Sequence, residues 1–554
     1  MDGNLFCKLN IKPKMKRINI YLALLFFILL ACSHESGNKY DTQKIYKNLE
    51  GDILTISADS MLGRAPFTIG EERATSYIAG RMKEIGLNPV FDSSYFQDVP
   101  MVSITSELPS SIDFKVNGSN FSLKVDDDIC LWSPTVKKEV AITNSPLVFA
   151  GFGINAPEYG WNDYADLDVK GKIVVVLVND PGYYLKDSSM FTGYAMTYYG
   201  RWRYKFEEAE RQGALGCVIV HEDGPAGYPW AVAGSKSNSP ILYLDSKELE
   251  NPTCKLNGWI TLSAARKLFD EVGLNYDEIK QRAITKEFKP LALNASLNLK
   301  IRNKVERSLS KNVAGYIKGT ENPDEFIVYT AHWDHLGVGK PVNGDSIYNG
   351  ASDNAAAVAW MLSIAELYQN SAIKPKRSVV FLAPTAEESG LFGSEYFTKN
   401  CPFDISNALA CFNYDVVLFI GHFKDVTVTG YGHSNLDSLL EVVAKRHNRY
   451  IDLDPNPENG MFYRSDQLPF LKAGVPSMFA KGYTHQSDLG KEKTLERINS
   501  YWQNTYHKPC DEFNPEKDNL DGLVDDVILF YEVGDAIAGT DFKPEFSKKS
   551  EFFR

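Results

Sequence analysis

The feature that most constrains the fold is an alternation of short apolar runs with a helical stretch in the C-terminal half of the chain. Residues 327–330, 378–383 and 409–413 have the length and composition of buried strands. Residues 354–368, between the first two runs, carry apolar side chains at helical spacing. Because strands that alternate with helices pack into layers, the sequence predicts an α/β fold with helices on both faces of the sheet.

A different pattern precedes this region. From about residue 122 to 308, short β-rich runs such as 173–178 and 217–220 are separated by loops rich in Gly, Pro and aromatic residues. Before that, residues 71–85 have helical periodicity that stops at Gly86. Since 554 residues exceed what one hydrophobic core usually serves, we expect two or three domains, or one domain with a large insertion.

The charge balance argues against one class of partner. The chain has 59 Lys and Arg against 71 Asp and Glu, a formal charge of -12 at pH 7, and no stripe of basic residues. A phosphate-binding surface needs clustered Lys and Arg. We therefore expect no nucleic-acid partner.

The first 32 residues have the pattern of an export signal. Residues 15–17 include two basic residues, residues 18–30 form an apolar run too short for a comfortable membrane span, and Ala31 precedes Cys32. This ending resembles the bacterial lipobox, which implies cleavage before Cys32 and acylation of its sulfur. We expect an exported protein, lipid-anchored to a bacterial membrane in the periplasm or at the cell surface; the alternative is a soluble secreted protein cut near Cys32.

Candidate reactive side chains follow the predicted strands. In open α/β sheets, ligands bind in the crevice beyond the carboxyl ends of the strands. The first two strands are followed by AHWDH (331–335) and TAEESG (385–390), and the third leads into NYD (413–415). Two further segments belong to the same set, SDN (352–354) just before the helix and YHKPCD (506–511).

These segments contain carboxylates and histidines, which repel and desolvate one another at one sheet edge unless a cation neutralises them. Nitrogen and carboxylate ligands without thiolates suit zinc or a similar borderline ion. An odd number of carboxylates with two histidines is more natural for two ions that share a bridge than for one tetrahedral site. Glu387, next to the ligand candidate Glu388, is placed to act as a general base.

The motifs resemble those of a known family. HWDHLG, NGASDNAAAVA, APTAEESGLFGSEYF, NYD and YHKPCDE occur in the order of the successive motifs of the co-catalytic di-zinc aminopeptidases, a family that also contains glutamate carboxypeptidase. Residues 134–245 resemble the protease-associated domain inserted in many members. Residues 62–89 are similar to the helical lead-in of the peptidase domain.

The resemblance implies a mixed central sheet of the zinc-exopeptidase type with a β-rich inserted domain. It also implies a zinc-dependent exopeptidase, and above all an aminopeptidase that hydrolyses the N-terminal bond of peptide substrates. The expected division is a lipoprotein signal peptide at 1–32, the N-terminal part of the peptidase domain at 40–121, the protease-associated insertion with its connecting segments at 122–308, and the di-zinc catalytic domain at 309–545.

Carried over residue by residue, the resemblance implies a centre of two zinc ions. His332 and Asp415 are expected to hold one ion. Glu388 and His507 are expected to hold the other, and Asp353 to bridge the two.

Three residues receive catalytic roles from the same resemblance. Glu387 matches the general base, which takes a proton from the water and passes it to the leaving amine. Asp334 matches the carboxylate that orients His332 through its second nitrogen, and Tyr506 stands where a Tyr hydroxyl often faces the developing oxyanion. The family also has a non-proline cis peptide bond after the bridging carboxylate, so one is expected at Asp353–Asn354.

One departure from the family concerns the last histidine. Shorter members run almost directly into it, whereas this chain interposes residues 481–505, which include His485. His485 is therefore a rival ligand, but His507 is preferred because Tyr506 and Asp511 flank it as in the family. The histidines interpreted as structural or exposed are His335, His422, His433 and His447.

Three alternatives to an aminopeptidase stay open. A carboxypeptidase or dipeptidase acting on acidic peptides uses the same metal core but needs an Arg-rich pocket for the substrate carboxylates, for which Arg464 is the only basic candidate. A glutaminyl cyclase-like transferase typically operates with one zinc, and the complete ligand set argues against it. A non-catalytic peptide-binding scaffold normally loses ligands, and none is lost here.

Substitution of Cys32 tests the expected anchor. Cys32→Ser removes the sulfur that would carry the lipid, so we expect the protein to move from the membrane fraction to the soluble fraction. Cys7→Ser, upstream of the basic segment, is the matched control and should leave fractionation unchanged. Membrane association that survives Cys32→Ser contradicts the anchor.

Overall fold

The computed structural model describes residues 40–187 and 190–553. The predicted signal peptide and Cys32 lie outside these residues. The N-terminal part contains helices α1 (Thr42–Ile56) and α2 (Ile69–Ile85) and strands β1 (Asn88–Pro89), β2 (Phe96–Glu107), β3 (Ser111–Val116) and β4 (Ser119–Lys124). Helix α2 ends at Gly86, whose φ of 88° lies in the left-handed region that favours glycine, so the predicted end of this helix is confirmed.

The middle of the chain is rich in strands, as its β-rich runs predict. The strands are β5 (Ile129–Trp132), β6 (Glu139–Phe149), β7 (Asn155–Ala156), β8 (Trp161–Asn162), β9 (Ile173–Leu177), β10 (Gly216–His221), β11 (Pro240–Leu244) and β12 (Leu256–Thr261). The helices are α3 (Pro181–Leu185), α4 (Trp202–Arg211), α5 (Asp223–Ala226), α6 (Trp230–Gly234), α7 (Leu262–Glu271) and α8 (Tyr276–Ala283). Strands β9, β10 and β12 are parallel neighbours, and every residue of β9 and β10 is buried, which explains their unbroken apolar runs.

The C-terminal region is a mixed sheet with helices. Its strands are β13 (Leu291–Ile317), β14 (Asn322–Thr330), β15 (Gly337–Val342), β16 (Asp345–Tyr348), β17 (Arg377–Ala383), β18 (Ala408–Asn413), β19 (Asp425–Thr429), β20 (Tyr450–Leu453) and β21 (Ser477–Lys481). Its helices are α9 (Ala356–Asn370), α10 (Glu387–Gly390), α11 (Phe392–Lys399), α12 (Leu436–Arg446), α13 (Gln467–Lys472), α14 (Gly490–Asn504) and α15 (Asp521–Ala538). Strands β17, β14, β18 and β21 are parallel neighbours, whereas β13 and β19 pair antiparallel at either side, so the predicted mixed sheet is confirmed.

Helices cover both faces of this sheet because successive side chains of its buried strands point in opposite directions. On β14, Val328 packs in one apolar cluster with Phe397 of α11. The next residue, Tyr329, faces the other way: its ring lies 5.7 Å from that of Trp360 on α9, and its hydroxyl donates to the carbonyl oxygen of Phe530 on α15 at 2.8 Å. The predicted cover of helices on both faces is confirmed.

One long strand joins the middle of the chain to the C-terminal sheet. Strand β13 pairs with β6 and β3 in its first half, with β2 over residues 302–313 and with β17 at its end. The expected boundary at residue 308 therefore falls inside a strand. The sequence did not indicate this strand because residues 304–309 are mostly exposed, and polar side chains interrupt the apolar pattern there.

From Ile45 onward the described chain forms one compact unit, whereas residues 40–44 only begin the first helix. Among residues 40–187 and 190–553, no helix combines the length and the apolar character that crossing a membrane requires.

Candidate metal centre

The parallel strands of the C-terminal sheet carry candidate side chains just beyond their carboxyl ends. His332 comes two residues after β14, Glu387 four residues after β17, and Asp415 two residues after β18. Lys481 is the last residue of β21. Since these four strands are neighbours, the side chains meet at one edge of the sheet.

Asp334 fixes the turn that presents the two adjacent glutamates. Its carboxylate oxygens accept hydrogen bonds from the backbone N–H groups of Glu387 at 3.1 Å and Glu388 at 3.4 Å. The second ring nitrogen of His332, Nδ1, lies 3.1 Å from the main-chain oxygen of Asp334 but 3.8 Å from its carboxylate. In this geometry the backbone of Asp334 orients the histidine, and its carboxylate positions the glutamates.

A second carboxylate fixes the loop that carries Asp353. The two oxygens of Asp511 accept hydrogen bonds from the backbone N–H groups of Ser352 and Asp353, both at 3.1 Å. The peptide bond Asp353–Asn354 is cis, as the family resemblance implies. A distorted helical turn at Ala351–Ala355 then leads into α9.

His332, Glu387 and Asp415 form one group of close ligand atoms. The Nε2 atom of His332 lies 3.3 Å from Asp415 Oδ1 and 3.9 Å from Glu387 Oε2. One ligand atom from each of the three residues lies within 4.8 Å of the others. Such a spacing is compatible with one metal ion between them.

His335, Asp353, Glu388 and His507 form a second group with the same close spacing. The Nε2 atom of His507 lies 3.0 Å from Glu388 Oε2 and 3.2 Å from Asp353 Oδ2. The other oxygen of Asp353, Oδ1, lies 3.4 Å from His332 Nε2 in the first group. Asp353 thus stands between the two groups.

The position of His335 contradicts the exposed part of its interpretation as structural or exposed. Its side chain is buried, and Nδ1 lies 2.7 Å from Glu388 Oε1, inside the second group. The signal that could have found it is its place in the same post-strand segment as His332, three residues further on.

The remaining candidates lie around the two groups. The ring of Tyr506 stacks on that of His507 with 3.8 Å between centroids. His485, the rival for the last ligand, instead has its Nδ1 atom 2.7 Å from the hydroxyl of Tyr450. Arg464 is half-buried, and its guanidinium contacts the sulfur of Met461 at 3.7 Å.

The electrostatics of the centre call for cations. Burial disfavours the charged form of His507, but Glu388 and Asp353 outweigh burial and raise the pKa of this histidine to about 10. Burial, opposed by the charge of His332, raises the pKa of Asp334 to about 7. The surplus negative charge thus draws protons onto the histidines, a role that divalent cations take over in metal sites.

The donor atoms also fit zinc. In the part of the chain that the structure describes, Nε2 of His507 is buried and forms no hydrogen bond, although two carboxylate oxygens lie close to it. A buried polar atom without a partner is rare and needs a reason, which a metal ion bound at that nitrogen would supply. Imidazole nitrogens and carboxylate oxygens without thiolates form the ligand set that zinc accepts.

Two buried cations that the sequence did not indicate hold the loops of the centre. The fully buried guanidinium of Arg64 donates to the main-chain oxygens of Trp333 at 2.9 Å, Ile56 at 3.0 Å, Gly350 at 3.0 Å and Asn349. Lys481 donates to the main-chain oxygens of Asp415 and Val416. Both cations bond to carbonyl groups distant in sequence, so no local motif reveals them.

Substitution of Arg64 tests its role as a structural cation. We expect Arg64→Met to lower the free energy of unfolding by about 3 kcal/mol or more, because several buried carbonyl oxygens lose their donor. Arg64→Lys should recover only part of the loss, since an ammonium group cannot reproduce the planar set of donors. Arg73→Met, at an exposed position of α2, is the control; denaturant unfolding that gives equal stability for the Arg64→Met and Arg73→Met variants contradicts the role.

Comparisons with known proteins point to one family. The model of peptidase family M28 matches residues 312–531. Aminopeptidase NAALADL1 of Rattus norvegicus is 28% identical over 214 residues, which cover 37% of this chain and 25% of that protein. A probable zinc metalloprotease of Pyrenophora teres f. teres is 31% identical over 105 residues, 19% of this chain and 22% of that protein. The chain thus spans about a quarter or less of the length of these relatives.

Among solved structures, the aminopeptidase from Aneurinibacillus sp. strain AM-1 superposes with a TM-score of 0.47 at 18% identity, covering 91% of this chain and 96% of that chain. The family match is local, and it contains every side chain of both ligand groups. Over residues 312–531 this chain is therefore similar to peptidase family M28.

Proposed function

We propose that this chain is a zinc-dependent aminopeptidase, which hydrolyses the N-terminal bond of peptides at two adjacent zinc ions. The observation that carries the proposal is the position of Asp353, whose Oδ1 lies 3.4 Å from His332 Nε2 and whose Oδ2 lies 3.2 Å from His507 Nε2. A carboxylate with one oxygen towards each ligand group is placed to bridge two ions. The match of residues 312–531 to the model of peptidase family M28 supports the same chemistry.

The residues of the two groups would hold the ions. His332 and Asp415 would bind the first ion, and Glu388 and His507 would bind the second. His335 lies near enough to be a further ligand of the second ion. When bound, the zinc ions lower the pKa of a water molecule and polarise the carbonyl of the scissile bond.

Glu387 is the proposed general base. Its backbone is held by Asp334, and its carboxylate reaches the edge of the first group, 3.9 Å from His332 Nε2. Burial, together with the charges of Asp415 and Glu388, raises the pKa of Glu387 well above the ordinary value. A carboxylate of this kind takes a proton from the attacking water and passes it to the leaving amine.

Three further parts of the proposal lie around this core. The hydroxyl of Tyr506, whose ring stacks on His507, would donate to the developing oxyanion. Residues 122–308 would form a protease-associated insertion between the two parts of the peptidase domain. A lipid on Cys32 would anchor the exported protein to a bacterial membrane.

Metal content tests the proposed pair of ions. After reconstitution with zinc, we expect elemental analysis to give about two equivalents per chain, because two ligand groups share one bridging carboxylate. Dialysis against a chelator should abolish peptide hydrolysis, and added zinc should restore it. Full activity with one equivalent or none contradicts the two-ion centre.

Substitution of the adjacent glutamates separates chemistry from metal binding. Glu387→Gln should keep about two zinc ions but lower kcat by ~10² to 10⁴-fold or more, because an amide cannot accept the proton. Glu388→Gln should instead weaken one zinc site, with partial rescue by excess zinc.

Glu496→Gln, at an exposed position of α14, is the matched control for both variants and should change neither zinc content nor kcat. If Glu387→Gln loses zinc while Glu388→Gln stays loaded, the two roles are reversed. If neither variant loses activity, the catalytic centre is elsewhere.

A further inference from the structure

Within the second ligand group, the ring of His335 contacts the side chain of Glu388. Its Nδ1 atom lies 2.7 Å from Glu388 Oε1. The other oxygen of this carboxylate, Oε2, lies 3.0 Å from Nε2 of His507. Glu388 thus presents one oxygen to His335 and the other to the place proposed for the second ion. Two roles are open to His335, that of a metal ligand and that of a hydrogen-bond donor to Glu388, and the surroundings of its ring decide between them.

The hydrogen-bond partners of the ring place its proton on Nδ1. In the part of the chain that the structure describes, Nε2 of His335 is buried and has no hydrogen-bond partner. A proton on Nε2 would be a buried donor without an acceptor, which is costly, whereas a proton on Nδ1 is donated to a carboxylate oxygen at a normal distance.

This tautomer argues against a role as ligand. A ring nitrogen that carries a proton has no free lone pair for a metal ion, so Nδ1 is a donor. The two ring nitrogens point away from each other, so Nε2 faces away from Glu388 Oε1 when Nδ1 donates to it. His335 therefore acts on the second ion through Glu388.

The ring of His335 has little freedom to leave this position. It packs against Gly350, whose φ is 59°, and a Cβ atom on this glycine would lie 2.6 Å from Cδ2 of His335. The backbone N–H of His335 donates to the main-chain oxygen of Arg64 at 3.3 Å. The guanidinium of Arg64 donates in turn to the main-chain oxygen of Gly350 at 3.0 Å. One buried arginine thus holds both the backbone of the histidine and the glycine against which its ring packs.

We propose that His335 is a positioning residue, which holds Oε1 of Glu388 through its Nδ1–H group and so directs Oε2 to the second metal ion. Hydrogen bonds to ligating carboxylates orient them and raise metal affinity. Without this donor the carboxylate is freer to rotate, and binding the ion then costs the entropy of fixing it. The inference rests on the proposed function, because it concerns the affinity of the second of two zinc sites.

Two amide side chains test the position of the donor. In Asn the amide nitrogen is bonded to Cγ, as Nδ1 is in His, whereas in Gln it is bonded to Cδ, one bond further out. We expect His335→Asn to keep a second-site zinc affinity close to that of the wild type. His335→Gln and His335→Leu should lower it by about 10- to 100-fold, the usual effect of losing such a partner. Competition with a chromophoric chelator measures both zinc affinities of each variant.

The Asn variant decides against a ligand role, since the N–H group of an amide donates a hydrogen bond but does not bind zinc as imidazole does. A loss in His335→Asn as large as that in His335→Leu would mean that the ring itself binds the ion, and would overturn the proposal.

His422→Leu is the matched control for the removal of a histidine next to a carboxylate. The Nδ1 atom of His422 also lies 2.7 Å from a carboxylate oxygen, that of Asp525, but its side chain is 58% exposed. We expect this variant to bind both zinc ions as the wild type does. A loss of second-site affinity equal to that of His335→Leu would overturn the specific role of His335.

Thermal unfolding of the zinc-free proteins separates positioning from support of the fold. His335→Asn and His335→Gln both replace the ring by an amide, so we expect them to have equal melting temperatures while their zinc affinities differ. If His335→Gln unfolds at a clearly lower temperature than His335→Asn, its loss of affinity is an effect on folding and the proposal falls. This pair decides the question even if His335→Leu does not fold.

Zinc binding and peptide hydrolysis distinguish this inference from the proposed function. Absence of peptide hydrolysis by a wild type that binds two zinc ions would refute the proposed function alone. Unchanged second-site affinity in His335→Gln and His335→Leu would refute the positioning role alone. A wild type that is fully active with a single zinc ion would overturn both.

Discussion

The C-terminal region depends on the neutralisation of carboxylates that are buried together beyond the ends of parallel strands. Asp334, Asp353, Glu388 and Asp511 all lie near enough to Arg64 to raise the pKa of its guanidinium, although burial lowers that pKa to about 10. Arg64 is a buried cation near these carboxylates, and its hydrogen bonds tie the loops after β14 and before α9 to the N-terminal part of the chain. The negative charge that Arg64 does not neutralise makes this edge of the sheet suitable for divalent cations.

The sequence predicts best those elements whose residues all face the protein interior. The buried parts of β9, β14, β17 and β18 are visible as apolar runs because parallel strands buried on both faces need no polar positions; in β14 these are the residues from Phe326 onward. Helix α2 was found because its apolar spacing and its glycine stop are local signals. The sequence does not indicate strand β13 because part of it is exposed. Polar side chains at these exposed positions interrupt the alternation of apolar and polar residues that marks a strand.

The candidate centre likewise contains residues that the sequence indicates and residues that only the structure reveals. The side chains that follow strands were indicated because a strand end in an α/β sheet is a recognisable place, and the structure brings His332, Asp353, Glu388, Asp415 and His507 together there. The sequence does not indicate Arg64 and Lys481 because what distinguishes them is tertiary: both donate hydrogen bonds to main-chain carbonyl groups of other segments. His335 lies in the same post-strand segment as His332, but only the tertiary structure shows that its Nδ1 atom meets Glu388.

The continuity of β13 limits how this protein can be recombined. A module attached by flexible loops can be exchanged between relatives at its two connections, but here one of the joints would fall inside a strand paired with β2 and β6. A shift of one residue at that joint would turn every following side chain to the opposite face of the sheet. Chimaeras that replace residues 122–308 should therefore carry β13 and β2 together with the exchanged segment.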